Sequence, residues 1–166
     1  MTVEISIAEL LTWNEETSNF WNSHLEAHPE LLALDANGIG GAQTVQDFVR
    51  HIWGAELRWA QRLAGVPETP REAVPQGPLG ALFDLHLQAM AHFRRLLDDS
   101  HQDWSAPYTM DAAWLSPEQR TFSRRKAFGH VLFHAQRHWA QLATLLRQAG
   151  SPSGFRGDLL FSSGLA

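Results

Sequence analysis

The sequence predicts an all-α protein, a four-helix bundle with long connections between helices 2 and 3 and between helices 3 and 4. Four segments repeat apolar residues at the three- and four-residue intervals of a helix, and stretches rich in Pro and Gly separate them. The chain has 166 residues, of which 44% are hydrophobic and 19% charged, as in ordinary globular proteins. We therefore expect residues 1–166 to form a single four-helix-bundle domain.

The first two helices have recognisable boundaries. The first helical pattern runs from Ile5 to about His28, and a loop containing LDANGIGG is predicted at residues 31–43. Thr44 then precedes the second helix, and Asp47 stands three residues later, where a capping box prefers Glu. Gly65 is predicted to end this helix because glycine readily adopts the left-handed conformation of a C-terminal cap.

The second half of the chain is less regular. Residues 66–77 form a proline-rich connector, and a third helix is predicted at residues 78–98. Residues 100–124 fit either two short strands or an irregular loop, and the fourth helix is predicted from roughly Arg125 to Gly150. The tail contains the apolar run Leu159-Leu160-Phe161, which we expect to dock on the bundle.

Composition excludes several classes of function. The formal net charge is −5, so no overall attraction to nucleic acid or to anionic lipid is expected. No run approaches the eighteen or so apolar residues of a membrane span, and MTVEISIAELL lacks the basic region and cleavage site of a signal peptide. We therefore expect a cytoplasmic protein. It contains no cysteine, so any metal ion must be held by nitrogen and oxygen ligands.

The last helix carries three histidines at a spacing of four, His130, His134 and His138. Residues four apart lie on the same face of a helix, so two imidazoles can close on one metal ion. At about 100° per residue, His138 lies roughly 60° and His134 roughly 100° from the centre of the apolar stripe. His130 lies roughly 140° away, where it points mostly to solvent. His134 and His138 are therefore the predicted ligands.

The second helix offers one further histidine, His51, at the edge of its apolar face. Three imidazoles would converge if this edge faces His134 and His138. Three protein ligands with an open position are typical of a catalytic metal site, and imidazole ligands suit Zn, Ni, Cu or Fe(II). A chance surface pair of histidines is the alternative. Peptidase chemistry is not predicted, because Ala135 stands where the H-E-x-x-H motif has its glutamate.

Two stretches, His51-Ile-Trp-Gly-Ala-Glu-Leu-Arg-Trp and HVLFHAQRHWAQLATLLRQAG, resemble the DinB-like family of metal-binding four-helix bundles. That family has one ligand histidine in the second helix and two more, four apart, in the fourth helix. A Gln and a Leu-rich stretch ending in Gly follow the pair. The matching positions here are His51, His134, His138, Gln141 and Gly150.

The resemblance also implies a range of functions. It implies a divalent transition metal, Zn or Ni, and a homodimer. The family is similar to thiol-dependent S-transferases and maleylpyruvate isomerases, which implies a metal-dependent transferase that uses a low-molecular-weight thiol. Two alternatives stay open: a metal-dependent hydrolase, and a non-catalytic metal-binding or stress-response module.

Glu56 lies near the centre of an apolar helix face, where an unpaired carboxylate is costly. It is either a partner or proton-transfer base beside the metal, or a structural group paired with a buried arginine or a tryptophan indole. The other histidines, His86 among them, have no predicted role. Most of the seven tryptophans are predicted to lie in the core: Trp13, Trp21, Trp53, Trp59 and Trp139.

Overall fold

The computed structural model describes residues 4–110 and 115–165. Its main elements are four helices, α1 (Ile7–Ala27), α2 (Val45–Ala64), α3 (Leu79–Asp98) and α4 (Arg124–Gln148). The predicted all-α class and the four-helix bundle are confirmed. Within the described ranges, none of the helices combines the length and the apolar character that crossing a bilayer requires.

The helix ends follow local capping signals. The Thr44 hydroxyl accepts a hydrogen bond from the Asp47 amide, and the Asp47 carboxylate accepts one from the Thr44 amide, both at 3.1 Å. Gly65 ends α2 with a φ of +68°, as predicted. The first helix begins two residues later than predicted, because Ser6 and Glu9 form a second capping box.

Aromatic side chains fill the core where α1, α2 and α4 meet. Trp21, Trp53 and Trp139 are each 0% exposed. The rings of Trp21 and Trp139 stack at 5.6 Å, and Trp53 meets Trp139 edge-on at 5.5 Å. The prediction that these tryptophans are core residues is confirmed, and Trp59 is buried as well. Trp13 is only half-buried, and its indole N–H donates to the Gly157 carbonyl at 3.2 Å.

The long connections predicted from the sequence are present. Residues 65–78 join α2 to α3, and residues 99–123 join α3 to α4. The second connection contains a two-stranded antiparallel sheet, β1 (Pro107–Thr109) and β2 (Thr121–Ser123). Of the two alternatives for this stretch, short strands are therefore correct. Residues 111–114, which belong to the same stretch, lie outside the described residues.

The expectation that Leu159-Leu160-Phe161 docks on the bundle is wrong for Leu160 and Phe161, whereas Leu159 is half-buried. Leu160 is 88% exposed and Phe161 is 53% exposed. Phe155 docks instead, with its ring 5.3 Å from Phe20 and 5.0 Å from Trp21. A large aromatic ring in contact with two others buries apolar surface, which explains why Phe155 anchors the tail.

Candidate metal centre

The two predicted ligands of α4 face each other. Nε2 of His134 lies 3.2 Å from Nε2 of His138, and the ring centroids are 4.4 Å apart. Their four-residue spacing places the rings one helical turn apart on the same face. His138 is buried and His134 is half-buried, so the pair lies at the edge of the core.

His51 of α2 completes the group. Its ring centroid is 5.0 Å from that of His138 and 5.6 Å from that of His134. One nitrogen from each imidazole can be chosen so that all three lie within 4.8 Å of one another, and together they could hold a metal ion. We call His51, His134 and His138 the histidine trio.

The loop before α2 packs directly on the trio. A Cβ atom on Gly40 would lie 3.3 Å from Cδ2 of His51 and 3.3 Å from Cε2 of Phe48. Gly40 also has a φ of +64°, which L side chains rarely adopt. The Phe48 ring in turn meets His138 edge-on at 5.2 Å. Backbone and aromatic contacts therefore limit the positions that the His51 ring can take.

Gln141 fixes the orientation of His138. Its side-chain oxygen, Oε1, lies 2.6 Å from Nδ1 of His138. An amide oxygen only accepts hydrogen bonds, so Nδ1 carries the proton and Nε2 presents a lone pair towards His134. Metal-bound histidines commonly show this pattern, in which the outer ring nitrogen donates to a polar partner. The signal for Gln141 in the sequence is its position three residues after His138.

The trio is poised to stay unprotonated. Burial, reinforced by the charge that His138 would carry, lowers the pKa of His51 to about 4. Burial and the neighbouring histidines lower the pKa of His134 to about 3. The pKa of His138 is also lowered, chiefly by burial. Neutral imidazoles are the form that binds a metal ion, so the site favours the ligand state at neutral pH.

His130 lies at the rim, as the helical wheel predicts. It is exposed, with its ring 5.8 Å from His134 and 5.4 Å from Trp59. It is not among the three residues whose nitrogens converge.

Glu56 is 1% exposed and belongs to a different cluster. Its Oε1 accepts from Nδ2 of Asn14 at 2.5 Å, and its Oε2 lies 2.8 Å from Nδ1 of His86. Nε2 of Gln136 extends the cluster by donating to Oδ1 of Asn14 at 3.4 Å and to Thr17 at 3.1 Å. We call these five residues the Glu56 network. The predicted role of Glu56 beside a metal stays a prediction.

His86 is the residue that sequence reasoning missed. It is 0% exposed and pairs with Glu56, whereas the expected structural partner was an arginine or an indole. A signal was present, because Leu82, Ala89 and Phe93 of α3 surround it at helical intervals and are all buried. The position of His86 on that stripe indicates burial, and a buried histidine requires a partner.

A cavity of about 320 Å³ lies beside the trio. Its walls come from residues 40–43, from one face of α2 and from the connector between α2 and α3. His51 is the member of the trio that lines it. The candidate centre is therefore accessible to a small molecule from this side.

These features define a class of protein, an all-α four-helix bundle in which three histidines from two helices could hold a divalent metal ion. The family model of the DinB family matches residues 1–156, and the chain belongs to that family. The resemblance to the DinB-like family is thereby confirmed. The chain matches no curated protein and no solved structure.

Proposed function

We propose that this protein binds a divalent transition metal ion, Zn or Ni, through His51, His134 and His138, and uses it to transfer a low-molecular-weight thiol to a small electrophile. The observation that carries the proposal is the convergence of three neutral imidazoles beside a cavity of about 320 Å³. Because His51 lines this cavity, a small molecule can approach the site, and this supports an enzyme over a binding module.

The chemistry of the donor set fits the metal. Three nitrogen ligands without a carboxylate suit Zn or Ni rather than Mg or Ca. A divalent ion bound there supplies a Lewis acid that lowers the pKa of a water or a thiol at an open coordination position. The chain itself contributes orientation, because Gln141 holds the His138 ring, and Gly40 and Phe48 pack against His51 and His138.

A thiol co-substrate is consistent with the composition. The chain contains no cysteine, so a sulfur nucleophile must come from a second molecule. The similarity of the DinB-like family to thiol-dependent S-transferases supports the same conclusion. The proposal places the protein in the cytoplasm, where small thiols are kept reduced.

The test is thiol conjugation by the metal-loaded protein. Glutathione, bacillithiol and mycothiol are each supplied with 1-chloro-2,4-dinitrobenzene, and product is followed by absorbance. We expect one thiol to be conjugated, with His134→Ala reducing the rate at least about tenfold and His130→Ala leaving it near wild type. Failure of all three thiols with several electrophiles, in protein shown to hold its metal, overturns thiol transfer.

The hydrolytic alternative has less support. It requires Glu56 as a base, but both carboxylate oxygens of Glu56 bond to side chains of the interior, those of Asn14 and His86. Glu56 is also not among the residues that line the cavity. We therefore propose that Glu56 stabilises the fold and takes no part in the reaction.

We also propose that the protein is a homodimer. Large apolar side chains are exposed on the outer faces of α3 and α4, with Leu87 48% and Phe133 58% exposed. Light scattering coupled to size-exclusion chromatography gives the mass directly. A chain that stays monomeric at high micromolar concentration contradicts this part of the proposal.

A further inference from the structure

The cavity beside the trio is lined by basic side chains, although the whole chain has a formal net charge of −5. Arg50, Arg58 and Arg71 line the wall together with one carboxylate, that of Asp47. Asp47 already accepts hydrogen bonds from the amide and the hydroxyl of Thr44, at 3.1 and 3.0 Å. The residues that line the cavity therefore leave an excess of positive charge.

Arg50 has a structural task. Its guanidinium donates to the carbonyls of Val74 at 2.7 Å, Pro75 at 2.9 Å and Arg71 at 3.3 Å. A Cβ atom on Gly54 would lie 3.2 Å from Val74, so the connector also packs tightly on α2. The turn that bears Arg71 is thus fixed against the cavity.

Within the described part of the chain, the positive charge of Arg58 lacks a closely paired carboxylate. Its nearest carboxylate oxygen, Oε1 of Glu68, is 4.0 Å from Nε, and that carboxylate is already held by Arg62 at 2.6 and 2.5 Å. Nε of Arg58 is buried and has no hydrogen-bond partner among the described residues. Burial lowers the pKa of Arg58, and so does the charge of its neighbours, Arg62 first. An incoming anion would offset the repulsion from the neighbouring arginines.

The two arginines share this cavity with the metal centre. Arg58 and Arg71 line it together with His51, the member of the trio that faces the same space. We infer that Arg58 and Arg71 form a subsite for a carboxylate group on the small molecule that reacts at the histidine trio. The inference rests on the proposed function, because it names the class of molecule that this site accepts.

The chemistry of the wall favours a carboxylate. A guanidinium presents paired N–H donors that match the two oxygens of a carboxylate. Asp47 lines the same cavity, and its charge repels a phosphate group, which concentrates two negative charges, more strongly than a single carboxylate group, which carries one. A volume of about 320 Å³ suits a small organic acid.

Succinate binding, measured by isothermal titration calorimetry before and after addition of zinc, tests the subsite. Arg71→Gln and Arg58→Gln are each expected to weaken succinate binding about tenfold, as loss of a charged hydrogen bond does. Arg125→Gln removes the same charge from an exposed position on α4 and is expected to change binding less than about twofold. Arg71 is exposed, so its variant is expected to fold.

Three results overturn the inference: no succinate binding by the wild type, unchanged binding in both subsite variants, or equal loss in Arg125→Gln. His134→Ala separates the inference from the proposed function. Metal binding and thiol transfer fail in this variant if the function is right, whereas succinate binding persists if the arginines hold the carboxylate. Loss of succinate binding in His134→Ala assigns the anion to the metal and overturns the subsite. The subsite also stands if the wild type binds succinate but conjugates no thiol.

Competition identifies the molecule that carries the carboxylate. Glutathione that displaces succinate places the carboxylate on the thiol, whereas simultaneous binding of both places it on the electrophile. Either result supports the subsite.

Discussion

Two clusters of polar side chains lie within the bundle, and they differ in what their hydrogen-bonding atoms face. In the Glu56 network a carboxylate meets an amide and an imidazole, so donors and acceptors are matched inside the protein. Nε2 of His86 is the exception, since it has no hydrogen-bond partner among the described residues. In the histidine trio the facing atoms are ring nitrogens of the same kind, beside an open cavity.

This difference distinguishes a cluster that stabilises the fold from one that could bind a ligand. A buried carboxylate that pairs with neighbours stabilises one arrangement of helices, and removing one partner leaves a charge or a polar atom unsatisfied. In the trio, Nε2 of His138 lies 3.2 Å from Nε2 of His134 and 3.4 Å from Nη2 of Arg137, and a metal ion bound there would replace these contacts. Substitutions in each cluster show whether the two are as separate as their contacts indicate.

The largest effect is expected on stability from Glu56→Ala. This change leaves His86 and Asn14 without their acceptor in the core, which costs about 3–5 kcal/mol of unfolding free energy. Urea denaturation of the metal-free protein measures the change, and the exposed Glu26→Ala is the control. Glu56→Gln keeps the shape of the side chain and is expected to cost less. Weakened metal binding in Glu56→Gln, with stability intact, would move Glu56 into the metal site.

The next effect is the loss of metal binding in variants of the trio. His51→Ala, His134→Ala and His138→Ala each remove one of three ligands, so zinc affinity should fall more than about 100-fold, beyond the range for an outer partner. Chelator competition measures the affinity. His130→Ala is the matched control on the same helix and should bind zinc nearly as the wild type does. A loss in His130→Ala as large as in His134→Ala contradicts the assignment of the trio.

A smaller effect is expected from Gln141→Ala. The variant loses the acceptor that holds Nδ1 of His138, so the ring is free to turn and zinc affinity should fall about tenfold. Gln148→Ala, an exposed glutamine on the same helix, serves as the control. If both variants bind zinc equally well, Gln141 does not orient the ligand.

The most gradual effect is a pH dependence of stability in the metal-free protein. The folded pKa values of His51 and His134 are lowered from 6.5 to about 4 and about 3, so below pH 6.5 the unfolded chain binds protons that the folded chain does not. Stability should therefore fall as the pH drops from 6.5 towards 4, by less than about 1.4 kcal/mol per pH unit for each histidine, since solvent screens these half-buried groups. The double variant His51→Asn/His134→Asn should flatten this slope when unfolding is followed at several pH values. An unchanged slope rules out the trio as its source.

Much of the fold could be predicted from local signals. The capping box of Thr44, the glycine at the end of α2 and the proline-rich connector each act through neighbouring residues, so the sequence carries them directly. The prediction for the tail failed because an apolar run does not indicate which of its residues packs against the helices. Phe155 packs against aromatic rings of the bundle, whereas Leu160 is exposed.

Part of the candidate site could likewise be predicted from local signals, and part could not. Helical periodicity places His134 and His138 on one edge of α4 and His130 towards solvent, because their relative directions depend only on the geometry of one helix. The sequence by itself therefore determined the bundle class and this pair. Only the tertiary structure brought His51 of α2 within 5.0 Å of the His138 ring centroid, paired Glu56 with His86 and gathered the arginines around one cavity. Contacts between helices depend on how the whole core packs, which no local pattern encodes.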